Sequence, residues 1–153
     1  DLGITKKEAD RYIAGYFAKY PKIKEYMNKT IADAREKGYV STMYNRRRSM
    51  PELSSSNFVQ RAFGERVAMN MPIQGSAADI IKIAMIRVSD KLKENKLKSR
   101  LILQVHDELL VETEKSEIGI VKEILKNEME HAADMSVPMD VDVHEGDNWL
   151  SAK

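Results

Sequence analysis

The sequence predicts an α+β fold in which long helices pack on a small antiparallel sheet that includes one hairpin with ionisable residues at its tip. Three observations lead to this reading. Residues 5–38 and 57–93 place apolar side chains three and four apart, the spacing of one helix face. Residues 100–105 and 108–112 are strand-like runs separated by only two residues, which calls for a tight antiparallel turn. Residues 139–144, Met-Asp-Val-Asp-Val-His, alternate apolar and polar, the period of a half-buried strand. Long helices and a few neighbouring antiparallel strands together make an α+β chain.

The first helix is predicted to start after Thr5, whose hydroxyl can cap it while Glu8, three residues on, completes a capping box. It runs toward Lys19 with Ile13, Tyr16, Phe17 and Tyr20 at helical spacing. Pro21 suits the first position of a second helix, where the N–H it lacks has no partner to lose. Ile23, Tyr26, Met27, Thr30, Ile31 and Ala34 carry the period to Gly38, which can take the left-handed backbone of a C-cap. Tyr39 to Tyr44 reads as a short strand, with Asn45, Arg46, Arg47 and Arg48 as its turn. Residues 51–56 read as a loop. A further helix runs from Asn57 to Met71. Pro72 is expected to interrupt it, because a proline removes a donor and its ring clashes with the preceding turn. Helix resumes near Gly75 and continues through Asp79, Ile80, Ile83, Ala84 and Ile86 to about Lys93. Beyond the hairpin, Ser116 to His131 is an amphipathic helix with Ile120, Ile124 and Met129 inward, and 139–144 is a last strand.

With 153 residues and a hydrophobic fraction of 42%, the chain can bury one real core. Its apolar runs are short and broken by charge, so none is long enough to span a bilayer as a helix. The polar start without Met does not read as a signal peptide and hints at a piece of something longer. The absence of cysteine excludes disulfides and thiolate metal sites and is compatible with the cytoplasm. The net charge of +1 hides an asymmetry. Residues 1–100 hold 21 Lys and Arg against 11 Asp and Glu, whereas residues 101–153 hold 4 against 13. This fits either two ordinary solvated faces or a polyanion-binding half beside an acidic half, and composition does not choose between them.

Three features carry candidate chemistry. Two-residue hairpin turns favour Asn-Gly or Asp-Gly, because both central residues need positive φ. Here His106 and Asp107 occupy the turn and Glu108 follows, with no glycine. Such a tip is either a solvated polar turn or a place where carboxylates converge on a hard cation such as Mg²⁺. Second, Arg66, Asn70 and Gln74 are spaced four apart and drift by about 40° per step, so they share one face if the helix holds past Pro72. They are either an ordinary polar face or donors for the minor-groove acceptors that every base pair presents. Third, Arg46, Arg47 and Arg48 are either a solvated turn or phosphate ligands. Asp140, Asp142 and His144 read as a solvated strand face, His144, Glu145 and Asp147 as a weak metal candidate, and the 9 methionines as core filler.

Several stretches in order resemble the family A DNA polymerases, the bacterial DNA polymerase I group. Gln104-Val105-His106-Asp107-Glu108-Leu109 resembles the family's motif C, and Pro72-Ile73-Gln74-Gly75-Ser76-Ala77-Ala78-Asp79 its QGSAAD helix. Asn57 to Arg61, Glu65-Arg66 and Ala68-Met69-Asn70 resemble the segment leading into that helix. Gly38-Tyr39-Val40 with the arginine run, and the ending Gly146 to Lys153, also fit. The resemblance covers nearly the whole chain. It implies a DNA-directed DNA polymerase that joins a deoxynucleoside triphosphate to a primer 3′-hydroxyl by a two-metal mechanism. Residues 1–56 would be helices and a hairpin following the fingers, and 57–153 would belong to the palm. Asp107 would be an essential Mg²⁺-binding carboxylate, Glu108 a lesser one, and His106 would sit near the primer terminus. Arg66, Asn70 and Gln74 would contact primer–template DNA, with Arg46, Arg47 and Arg48 close to it. The partners implied are primer–template DNA, deoxynucleoside triphosphates and the remainder of the polymerase chain, with no membrane and a cytoplasmic, nucleoid-associated location. The second catalytic Asp and the nucleotide-binding fingers helix are not found in this sequence, so the chain by itself is expected to be inactive. The alternatives are a phage-type single-subunit RNA polymerase, in which Ser usually follows His-Asp where Glu108 stands here, and a non-catalytic DNA-binding module.

Overall fold

The computed structural model describes residues 3–152; Asp1, Leu2 and the Lys153 of the terminal motif lie outside the described residues. Two compact units divide the chain, Asp1–Gly75 and Ser76–Lys153.

The first unit opens with helix α1 (Lys6–Lys19), entered through the expected capping box. The Thr5 hydroxyl accepts from the Glu8 N–H at 3.3 Å, and the Glu8 carboxylate accepts from the Thr5 N–H at 2.9 Å. The Thr5 N–H, first, and then the Thr5 hydroxyl, which donates to the same carboxylate at 2.7 Å, hold the Glu8 carboxyl below its ordinary value. Helix α2 (Pro21–Lys37) starts on Pro21 and ends at Gly38, whose φ of 76° is the left-handed cap that favours glycine. Strands β1 (Tyr39–Ser41) and β2 (Arg47–Ser49) pair antiparallel, with Val40 opposite Arg48. Arg47 and Arg48 are therefore strand residues, not turn residues. The hairpin closes earlier because buried Thr42 organises it: its hydroxyl accepts from the Tyr44 and Arg46 N–H groups, both at 3.2 Å. Asn45, at φ 62°, takes the left-handed position. Pro51–Ser54 is a 3₁₀ turn where a loop is predicted; Pro51 presets its φ, and buried Leu53 anchors it. Ala34, Val40, Met50, Leu53 and Ala68 form this unit's core, with Val67 and Met71 against it.

Helix α3 (Phe58–Glu94) is continuous, with Pro72 inside it and the unit boundary between Gly75 and Ser76 also within it. The expected break does not occur, for an energetic reason. An interior proline costs about 3 kcal/mol. Burial of one Val or Leu side chain returns roughly 1.5–3 kcal/mol. Ala68 on one side of Pro72 and Ala84, Val88 and Leu92 on the other are all essentially inaccessible to solvent, so burial outweighs the defect. Asn57 caps α3, accepting from the Val59 N–H at 2.8 Å.

The second unit contains the rest of α3, strands β3 (Arg100–Val105) and β4 (Glu108–Glu112), and helix α4 (Ile118–Glu130), which a 3₁₀ turn over Lys115–Glu117 precedes. Val88, Leu92, Val121, Ile124 and Leu125 form its core, with Leu97, Leu109, Val111, Met129 and Val143 packed on it. Ile120, predicted inward, is exposed, and Val121 and Leu125 are buried instead. The inward stripe of α4 is centred one residue later, so Val121, Ile124, Leu125 and Met129 keep a common face. Residues 139–144 form no strand ladder. Their alternation survives in burial: Met139, Val141 and Val143 are half-buried while Asp140, Asp142 and His144 are exposed. Alternation encodes which side faces the core. A ladder also needs a neighbouring backbone, and no described strand pairs with this segment. No described helix is long and apolar enough to cross a membrane.

Candidate nucleic-acid and metal site

The β3–β4 hairpin brings His106 and Asp107 into the two-residue turn, with Val105 opposite Glu108. His106 has φ 53°, and Asp107 is not among the described residues with positive φ. Only one of the two turn residues therefore takes the positive φ that Asn-Gly turns require of both. A histidine held there without glycine stores local strain, a condition concentrated at functional sites. Gln104 helps to hold the turn: its side-chain amide donates to the His106 carbonyl at 2.6 Å. A bulge precedes the tip, because Leu101 pairs with Val111 and Leu103 with Leu110, leaving Ile102 unopposed and 55% exposed. Bulges of this kind re-aim the residues that follow them.

Asp107 is exposed and makes no hydrogen bond or ion pair with a described residue. Glu108 is exposed too, and accepts from the Trp149 indole N–H at 3.4 Å. Two adjacent carboxylates suit a hard divalent cation, and Mg²⁺ commonly takes one or two protein carboxylates with the rest of its shell from water and phosphate oxygens. Among the described residues no group of three or more His, Cys, Asp or Glu converges as a metal cage. Glu145, a candidate in the second acidic group, is taken up by Lys122 at 2.7 Å.

On α3, Arg66, Asn70 and Gln74 are all exposed, and the unbroken helix puts them on one stripe. The opposite face buries Ala68. The arginine run divides. Arg47 stacks its guanidinium 4.6 Å from the Tyr39 ring centroid, Arg48 alternates to the other hairpin face, and Arg46 lies just before the strand. Charge also follows the units: residues 1–75 hold 14 Lys and Arg against 8 Asp and Glu, and residues 76–153 hold 11 against 16.

Gln104 and Trp149 lie in stretches that carry the family resemblance, but the sequence assigned neither of them a role. Trp149 meets Glu108 across 41 residues of chain, a proximity that no local pattern encodes.

Comparison with known proteins gives a consistent picture. A family model described as DNA polymerase family A matches residues 1–151. DNA polymerase I of Caldicellulosiruptor bescii is 54% identical over all 153 residues, and that of Bacillus subtilis 52%. The chain spans 18% and 17% of the length of those two relatives. Among solved structures, the POL domain of Pol1 from M. smegmatis, in complex with DNA primer-template and dNTP, superposes with a TM-score of 0.95 at 44% identity. That match covers 99% of this chain and 27% of the other. The match of one family model to nearly every residue, and of relatives over the full chain, places this protein in DNA polymerase family A.

Proposed function

We propose that this chain is the part of a DNA-directed DNA polymerase that grips primer–template DNA and supplies one end of the metal site for nucleotidyl transfer. The observation that carries the proposal is the exposed, unpaired Asp107 carboxylate at the tip of a tight hairpin, next to a His106 with positive φ. The similarity to a polymerase domain solved with primer-template DNA and dNTP supports it. Residues 57–153 would then belong to the palm, and 1–56 would precede it, in a bacterial cytoplasmic enzyme that works at the nucleoid.

In this reading Asp107, with Glu108 beside it, holds a divalent cation of the Mg²⁺ type. When bound, such a cation lowers the pKa of the attacking 3′-hydroxyl and neutralises charge on the phosphates. The chain's own residues position the DNA. Arg66, Asn70 and Gln74 present donors along one helix stripe, and donors meet an acceptor at every Watson–Crick pair in the minor groove. Such contacts grip paired DNA without reading its sequence, which a copying enzyme requires. Arg46, Arg47 and Arg48 add cationic contacts to phosphates, and His106 lies next to the reacting end.

Primer extension tests this. A longer protein that restores the upstream region should extend a primed template with Mg²⁺ and all four deoxynucleotides, and Asp107→Ala should abolish extension. Full activity after Asp107→Ala would remove Asp107 from the site and make a non-catalytic DNA-binding module the better account.

A further inference from the structure

We propose that Trp149 is a positioning residue for the hairpin tip: its indole N–H holds the Glu108 carboxylate beside Asp107, making the C-terminal turn part of the metal-binding end. The inference rests on the polymerase reading above. Trp149, the single tryptophan of the chain, places Nε1 3.4 Å from Oε2 of Glu108. It is the one described residue that hydrogen-bonds this carboxylate. Strand alternation sets Glu108 on the face opposite Leu109 and Val111, whose side chains pack into the core, so nothing in the core restrains it. A restraint has to come from the outer face, and the C-terminal turn supplies it.

The chemistry of the donor matters. An indole N–H is neutral and can only donate. It fixes one carboxylate oxygen without cancelling the negative charge, as a lysine would. The second Glu108 oxygen and both oxygens of Asp107 are left for a cation.

The turn around the indole is locked. The Ser151 hydroxyl donates to the Asn148 carbonyl at 2.9 Å, and the Asn148 side chain accepts from the Ser151 N–H at 3.1 Å. Gly146 lies directly against this knot, where an added Cβ would sit 2.6 Å from the Ser151 carbonyl carbon and 2.7 Å from the Ala152 nitrogen. Backbone atoms cannot yield that far, so the chain folds back only over glycine. A locked turn loses little entropy in holding the indole in place.

The test uses the longer polymerase that contains this chain, as Trp149→Phe, Glu108→Ala, the double variant and Asp107→Ala. Trp149→Phe keeps the ring and removes the donor. It should raise the Mg²⁺ concentration for half-maximal extension by about 10-fold, the usual effect of losing a hydrogen bond that orients a metal ligand. The KM for deoxynucleotide and the melting temperature should stay unchanged. In the Glu108→Ala background, Trp149→Phe should add nothing, because its effect runs through that carboxylate. Independently of activity, a 5-fluorotryptophan label should give a fluorine resonance assignable by its loss in Trp149→Phe. That resonance should shift when Mg²⁺ alone is titrated, and should stop responding in Glu108→Ala. A normal Mg²⁺ requirement in Trp149→Phe, or an equal loss with and without Glu108, would overturn the inference. Extension that survives Asp107→Ala would instead overturn the polymerase reading itself, so the two failures are distinguishable.

Discussion

Replacing Pro72 by alanine tests the claim that packing carries α3 through its proline. Residue 72 sits where an N–H would meet the Ala68 carbonyl one turn back, and proline has none to offer. Alanine restores that bond and removes the ring clash, a gain of about 3 kcal/mol on the propensity scale. Against it, the opened state loses the rigidity of proline, worth roughly 0.4–1 kcal/mol. The net is a stabilisation of about 2 kcal/mol, which corresponds to about 30-fold slower exchange if opening is local. Hydrogen–deuterium exchange, followed on peptides spanning residues 66–80 in the longer protein, reads this directly. Peptides from α4 serve as an internal control, because nothing in that helix changes. Unchanged or faster exchange near residue 72 would refute the reasoning. It would mean that the flanking core requires the proline's geometry, and that the helix is not being held together in spite of it.

Other perturbations have equally definite outcomes. Gly75→Val places a Cβ about where the structure puts one 2.7 Å from the Thr42 Cγ2, and Thr42 cannot turn away because its hydroxyl holds the Tyr44 and Arg46 N–H groups. Exchange of residues 39–49 should rise, by an overpacking cost of about 1–3 kcal/mol. Met50→Ala empties a site that is 1% exposed and should cost about 2–5 kcal/mol, seen as a lower denaturant midpoint for the first unit. The Ser99 hydroxyl, first, and then the Lys98 N–H hold the Glu117 carboxyl below its ordinary 4.5. Its stabilisation is therefore complete above about pH 5 and is lost as pH falls through the depressed value. The melting difference between wild type and Glu117→Gln should shrink on acidification; a constant difference would contradict the hydrogen-bonded clamp. Arg66→Ala should weaken primer–template binding about 10-fold and flatten its salt dependence, measured by fluorescence anisotropy at several ionic strengths.

Much of this protein could be read directly from residues close together in the chain. Thr5 with Glu8, and Pro21 with Gly38, mark helix ends because capping and left-handed closure are local chemistry. The β3–β4 strands match their sequence bounds because only a tight antiparallel turn can join runs two residues apart. The ordered series of motifs from Asn57 to Glu108 carries the family resemblance, and each candidate residue of the site lies in it or in the arginine run. Local information failed where the outcome was a balance with distant groups. Pro72 reads as a helix break, yet burial at Ala68, Val88 and Leu92 outweighs it. Thr42, not the arginines, sets the first hairpin's turn, because a buried hydroxyl captures two backbone donors. Residues 139–144 keep the inside–outside alternation and form no ladder, since side-chain order says which face is dry and nothing about a partner backbone. The sequence by itself determined the capped helices, the hairpin and the ionisable tip at residues 106–108. Only the tertiary structure decided that α3 is unbroken, so that Arg66, Asn70 and Gln74 share one stripe, and that Trp149 reaches Glu108. The physical reason is range: caps, turns and periods act within a few residues, whereas burial and long-distance hydrogen bonds exist only once the chain has folded.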